Sequence, residues 1–204
     1  MKKILLFLFL PLMSVQAQTP EIVELLKTID KVYDIDDNRD VYVQKVIQLD
    51  SNLTKEQLYY MVKEYITTAY NNANAVTQID SKEQGLIVCK GLYTDIYCTE
   101  IAIGSAGRYT ATHIMKIDIK DGRIRVTITV TNINEYYSDS GRSTDRKMTD
   151  YYPLNQGPRD IMEKKMKARE GYVFYKIVNR MSNTINDIKV KLSKPQTKKD
   201  SDEW

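Results

Sequence analysis

The chain is poor in the residues from which compact catalytic devices are built. Its 204 residues include one histidine, two cysteines and one tryptophan. A Ser-His-Asp or Cys-His device would have to use His113, and would also need a placed nucleophile and an orienting acid. Cys89 and Cys98 are separated by eight residues, so they form no CxxC redox pair. With one histidine they cannot complete a zinc site unless carboxylates join them. Glycine is scarce, at 8, and forms neither a Walker loop nor a GxGxxG; Gly104-Ser105-Ala106-Gly107 has the composition of an ordinary turn. Asp34, Asp36, Asp37 and Asp40 cluster, but counting from Asp34 an EF-hand would need glycine where Arg39 stands and glutamate where Lys45 stands. No metal or cofactor is expected. Carboxylates are plentiful, yet no pair can be set at glycosidase spacing from sequence, and the chain is not expected to be an enzyme.

Long apolar runs are also missing after the first few residues. Lys2-Lys3 precede Ile4-Leu5-Leu6-Phe7-Leu8-Phe9-Leu10, and Val15-Gln16-Ala17 follow. A basic start, a short apolar stretch and a small-residue cleavage site read as a secretory signal over residues 1–17, cut after Ala17. The run is too short to cross a bilayer of roughly 30 Å, and no later run approaches eighteen apolar residues, so the mature chain is expected to have no membrane span. The expected location is periplasmic or secreted. In that oxidising setting Cys89 and Cys98 either close a ten-residue loop, worth roughly 2.7 kcal/mol at best, or remain two buried thiols. Charge of one sign is lacking too. Removing Lys2 and Lys3 lowers Lys+Arg from 30 to 28 against 27 acids, which leaves no steering field for nucleic acid.

What the chain does have is tyrosine: 15, against 3 phenylalanines. Tyrosine suits thin, half-wet packing, since the ring buries while the hydroxyl finds a partner. The mature length fits one domain, read here as residues 41–190 after an N-terminal extension, 18–40. In the extension Ile22, Val23, Leu25, Leu26 and Ile29 suit a short amphipathic helix, and Tyr33–Asp40 a polar loop. Val41–Leu49 is a strand by its period of two, with Lys45 the exception on the apolar face. Thr54-Lys55-Glu56-Gln57 is a capping box, opening a helix to about Tyr70 with Leu58, Val62, Tyr65 and Ala69 on its buried stripe and Met61 and Ile66 beside them. Ala75–Asp80 and Gly85–Gly91 read as strands; the unbroken run Leu86-Ile87-Val88-Cys89 suggests burial on both faces in the sheet centre.

Asp121-Gly122 between two alternating runs predicts a hairpin with a type I′ turn. The register then pairs Lys120 with Arg123, Ile119 with Ile124, Ile117 with Val126, Met115 with Ile128 and His113 with Val130. One face is apolar; the other carries Lys116, Arg123 and Arg125. Residues 134–171 read as a polar insertion, with a charged helix possible over Arg159–Arg169. Tyr136-Tyr137 and Tyr151-Tyr152 flank its Ser138–Asp150 stretch, either as contact surfaces for proteins or sugars or as packing for the loop. Val173, Ile177, Val178, Met181, Ile185 and Ile188 predict a final helix over Tyr172–Lys189, and the charged tail, 191–204, has a disordered composition.

The stretches Leu53–Tyr59, Gln84–Val88 and Lys120–Arg125 fall in the order of, and resemble, an exported bacterial family called domain of unknown function 4468, over roughly Val41–Ile133. The resemblance implies an α+β, TBP-like β-α-β4-α fold: an antiparallel sheet with helices on one face and a polar opposite face. It carries no activity or ligand, and fold does not fix function. The expected role is an exported, non-enzymatic binding or protein-interaction domain of the bacterial cell envelope, whose partner is an envelope protein or a glycan and not nucleic acid. Lys116, Arg123, Arg125, Tyr136, Tyr137, Tyr151 and Tyr152 are the candidate binding residues. An exported hydrolase using carboxylates is the alternative.

Overall fold

A computed structural model describes residues 19–70, 72–102, 105–151 and 168–193. The signal, Tyr152, residues 159–167 of the charged stretch and the tail from 194 lie outside them. The elements are α1 (Thr19–Ile29), β1 (Asp34–Ile35), β2 (Val41–Gln48), α2 (Lys55–Ala69), α3 (Ala73–Val76), β3 (Thr77–Ser81), β4 (Leu86–Ala102), β5 (Ser105–Lys120), β6 (Arg123–Tyr137), β7 (Arg142–Arg146), α4 (Met148–Tyr151) and α5 (Ala168–Leu192). All strand pairs are antiparallel, in the order β1-β2-β6-β5-β4-β3. β7 pairs Ile133–Tyr137 of β6 while β2 pairs Arg123–Val130, so β2 and β7 lie end to end along one edge of β6.

The alternation read from sequence sets the two faces. Val43, Met115, Ile117, Ile124, Val126 and Ile128 point into the core, and α2 and α5 cover them. α5 meets the sheet through Val173, Ile177, Val178, Met181, Ile185 and Ile188, each fully buried and each worth about 1.5–3 kcal/mol in removed apolar surface. α1 packs on α5, with Leu26 and Ile29 buried.

Several expectations are corrected. The buried stripe of α2 is Leu58, Tyr59, Met61, Val62 and Ile66; Tyr65 is half-buried and Ala69 exposed, because both border an open cleft. Leu86 and Val88 are only half-buried, since β4 has core on one side alone and its neighbour β3 is the edge strand. Asp34–Ile35, read as loop, pairs with β2.

The hairpin register is as predicted at all five pairs, but its turn is not type I′. Gly122 has φ +66 whereas Asp121 keeps a negative φ. The cause is docking from outside the hairpin. The Leu49 amide donates to the Gly122 carbonyl (2.8 Å), the Gly122 amide to the Leu53 carbonyl (2.9 Å), and the Lys55 amide to Asp121 Oδ1 (2.6 Å). Asp121 thus serves the first turn of α2 beside the Thr54–Gln57 capping box, which is formed in full.

Residues 134–137 extend β6, and 142–146 form β7. A bulge at Thr131, where Thr112 pairs Asn132 and His113 pairs Val130, resets the alternation so that Ile133 and Glu135 point inward.

Candidate functional site

The sheet face away from the helices is open among the described residues. Its half nearest the Asp121–Gly122 turn carries Lys116, Lys120, Arg123 and Arg125, all exposed, around one carboxylate. That carboxylate, Asp118, pairs with Lys116 Nζ at 3.3 Å and Arg125 Nη2 at 3.0 Å. Lys120 and Arg123 make no ion pair among the described residues. Cross-strand neighbours put Val46 beside Arg125 and Val88 beside Lys116, so apolar surface is interleaved with the cations; Val46 is 54 % exposed. A cavity of about 200 Å³ opens between Val46, Asp118, Lys120, Arg123 and Arg125. The structure therefore brings together the three sheet residues picked from sequence.

It does not bring Tyr136, Tyr137 or Tyr151 to them. Tyr136 is exposed on the same sheet face, but at the far end of β6, across from Arg108. Tyr137 and Tyr151 turn inward instead of presenting contact surfaces. Glu135, 5 % exposed, accepts from Tyr137 Oη (2.9 Å), from Tyr151 Oη and from Arg146 Nη1 (3.2 Å). Arg146 also reaches Glu170 Oε1 at 3.2 Å and lies 4.4 Å over the Tyr151 ring. Burial pushes the Tyr151 phenol up, and its bond to Glu135 adds to that. Tyr151 thus ties α4 to β6, and Arg146 ties β7 to β6 and to α5.

Of the two alternatives for the cysteines, the structure has free thiols. Cys89 and Cys98 stand on the same strand, β4, roughly 30 Å apart at ~3.3 Å per residue, far beyond the ~7 Å limit for a bridge. Both are free; Cys89 is buried, which raises its pKa, and Cys98 is exposed. In the acidic loop Asp36 Oδ1 accepts from the amides of Asn38 (3.0 Å) and Asp40 (2.8 Å), so its carboxylate serves the loop itself.

A second site went unseen in the sequence. A cleft of about 650 Å³ lies between the end of α2, the edge of β4 and the second half of α5. Tyr65 and Tyr70 come from α2 and its cap, Leu92 and Tyr93 from β4, and Arg180, Asp187 and Lys191 from one face of α5. Beneath it His113, 2 % exposed, stacks on Tyr93 with ring centroids 3.9 Å apart. Its Nε2 lies 3.3 Å from Tyr70 Oη, and its Nδ1 is buried without a partner among the described residues. Burial lowers the His113 pKa to about 4. Burial likewise pushes the Tyr93 phenol up to about 12, against its bond to Thr184 and the nearby Arg180. The imidazole fits because Gly91 faces it: a Cβ there would stand 2.6 Å from His113 Cε1. The one signal available in the sequence was the helical spacing of Arg180, Asp187 and Lys191, which puts them on one face.

No curated protein matches the chain. The fold is similar to that of two crystal structures. One is a TBP-like protein from Parabacteroides distasonis ATCC 8503, with a TM-score of 0.58 and 13% identity over 78% of this chain and 96% of that one. The other is a DUF4468 family protein from Bacteroides ovatus ATCC 8483, with a TM-score of 0.57 and 17% identity over 82% of this chain and 94% of that one. At these identities the likeness is one of fold. Residues 44–135, from within β2 to near the end of β6, match the family model described as a domain of unknown function (DUF4468) with TBP-like fold.

Proposed function

We propose that this protein is an exported, non-enzymatic interaction module of the bacterial cell envelope that docks an acidic protein surface on its open sheet face. The observation that carries this reading is the grouping of Lys116, Lys120, Arg123 and Arg125 around the carboxylate of Asp118, on strands whose other face is fully used by the core. Four cations interleaved with exposed Val46 and half-buried Val88 suit a partner that offers carboxylates beside apolar side chains. Export rests on the basic, apolar and small-residue order of residues 1–17. The hydrolase alternative draws no comparable support. Asp118, Asp187 and Asp80 stand one to a cavity. Burial pushes Asp80 up, but hydrogen bonds from Lys63 and Tyr59 outweigh it and leave the pKa lowered, the wrong direction for a general acid.

The test starts from the full chain expressed in a bacterial host. Protein recovered from the periplasm or medium should begin at Gln18; retention of residues 1–17 in a cytoplasmic product overturns export. The mature chain, immobilised, should then retain an envelope protein at a fixed ratio. Its affinity should fall about tenfold or more with Arg123→Glu plus Arg125→Glu, and fall with added salt. Binding indifferent to both changes would place the partner elsewhere on the molecule.

A further inference from the structure

β4 runs thirteen residues past its last pairing with β3, which is Thr77 with Cys89. From Lys90 on, its side away from β5 has no strand partner among the described residues. Alternate residues of an antiparallel strand direct their N–H and C=O groups to opposite edges, so such a side offers a row of donors and acceptors for another chain to pair with. The open stretch is short. Asp95 has φ 54, and the register with β5 shifts between Tyr93 and Tyr97, so regular pairing geometry is confined to about Lys90–Thr94. This is also where β4 borders the cleft, to which it contributes Leu92 and Tyr93. Exposed Leu92 and Val190 form apolar rims, Tyr65 and Tyr70 form the α2 wall, and Arg180 and Lys191 outnumber Asp187 on the α5 wall.

We propose that this cleft is a peptide groove. An extended segment of a partner protein adds to β4 along Lys90–Thr94, sets one apolar side chain against Tyr70 and Val190 and the next, on the other face of the added strand, against Leu92, and places a carboxylate against Arg180 or Lys191. The occupant is argued from the backbone: a polypeptide strand supplies donors and acceptors at the spacing of the free edge, which a saccharide does not. The excess of cations on the α5 wall selects an acidic segment. This site is separate from the open sheet face, since it uses the edge of the sheet and the helical side.

The test uses the mature chain, 18–204. A phage-displayed random decapeptide library is panned against it, and enriched peptides are resynthesised with a fluorescent label for anisotropy. Affinity should fall about tenfold with Leu92→Glu and with Arg180→Glu, both at exposed positions, and stay within about twofold with Arg123→Glu plus Arg125→Glu. Methylating the peptide's backbone nitrogens one at a time, against unaltered protein, should abolish binding at every second position, the period of strand pairing. Four results overturn the groove: no enrichment over a control protein, peptides indifferent to Leu92→Glu and Arg180→Glu, losses on N-methylation without alternation, or amide shifts at Leu92 and Tyr93 on adding chitotetraose while no peptide produces them. Peptides lost only with the Arg123 and Arg125 reversal would support the open face and refute the groove.

Discussion

Gly91 and His113 face each other across β4 and β5, and each constrains the other. A methyl group at Gly91 would lie 2.6 Å from His113 Cε1 and 2.7 Å from Nε2, and the imidazole cannot retreat because Tyr93 stacks on it. Gly91→Ala is expected to cost about 1–3 kcal/mol, the usual penalty of overpacking. Most of that loss should vanish in a His113→Ala background, so a double-mutant cycle by urea unfolding checks the contact itself. The same burial makes His113 an acid-sensitive point. Its pKa is lowered to about 4 in the folded chain, against ~6.5 unfolded, so the folded state binds fewer protons between these values. Its contribution is complete above about pH 6.5 and is lost as pH falls towards 4, in total about 3 kcal/mol. His113→Gln should flatten this part of the stability profile; urea midpoints at pH 7 and pH 4.5, compared with the unaltered chain, measure it.

The elements were legible wherever their signal is local. Thr54 and Gln57 stand next to the helix they cap, and the period-two pattern on each side of Asp121-Gly122 allows a single register, so α2 and the β5–β6 hairpin follow from neighbouring residues. The turn type did not follow, because Asp121 is held by the Lys55 amide, 66 positions away. At the start of α2, Thr54→Ala is expected to cost about 1 kcal/mol and Asp121→Ala a similar amount. The double variant should depart from the sum, since both side chains serve amides of one helical turn; chemical unfolding of the three variants decides it. The end of β6 was unreadable for a different reason. Glu135 occupies a core-facing position, and an acid there looks like the end of a strand unless Arg146, Tyr151 and Tyr137 are known to converge on it. The candidate sites divide the same way. Lys116, Arg123 and Arg125 share a face because they share a hairpin, whereas the cleft is assembled from α2, β4 and α5.

At the scale of the molecule, one sheet faces helices on one side and is open on the other among the described residues, and its two halves are secured differently. Apolar residues hold the half under α2 and α5; at the other end Glu135 links β6 to β7 and α4, and Arg146 carries the link on to Glu170 of α5. Removing the carboxylate leaves the buried Tyr151 hydroxyl without its acceptor and Arg146 with Glu170 as its remaining carboxylate, so Glu135→Ala is expected to cost about 1–3 kcal/mol. Hydrogen exchange should quicken first in β7 and α4, before β2 or β5. The place of β2 in the sheet order has a further consequence, for the route by which the chain folds. Its partner residues in β6 come 75 to 89 positions later, whereas β4, β5 and β6 each pair with a neighbour in sequence. Closing so long a loop costs entropy before any contact rewards it, so the three-strand meander forms first and β2 is inserted last. A chain made from its N-terminus therefore carries Val41, Val43 and Ile47 unpaired until some ninety further residues have emerged. That waiting strand is the segment a holding chaperone would grip.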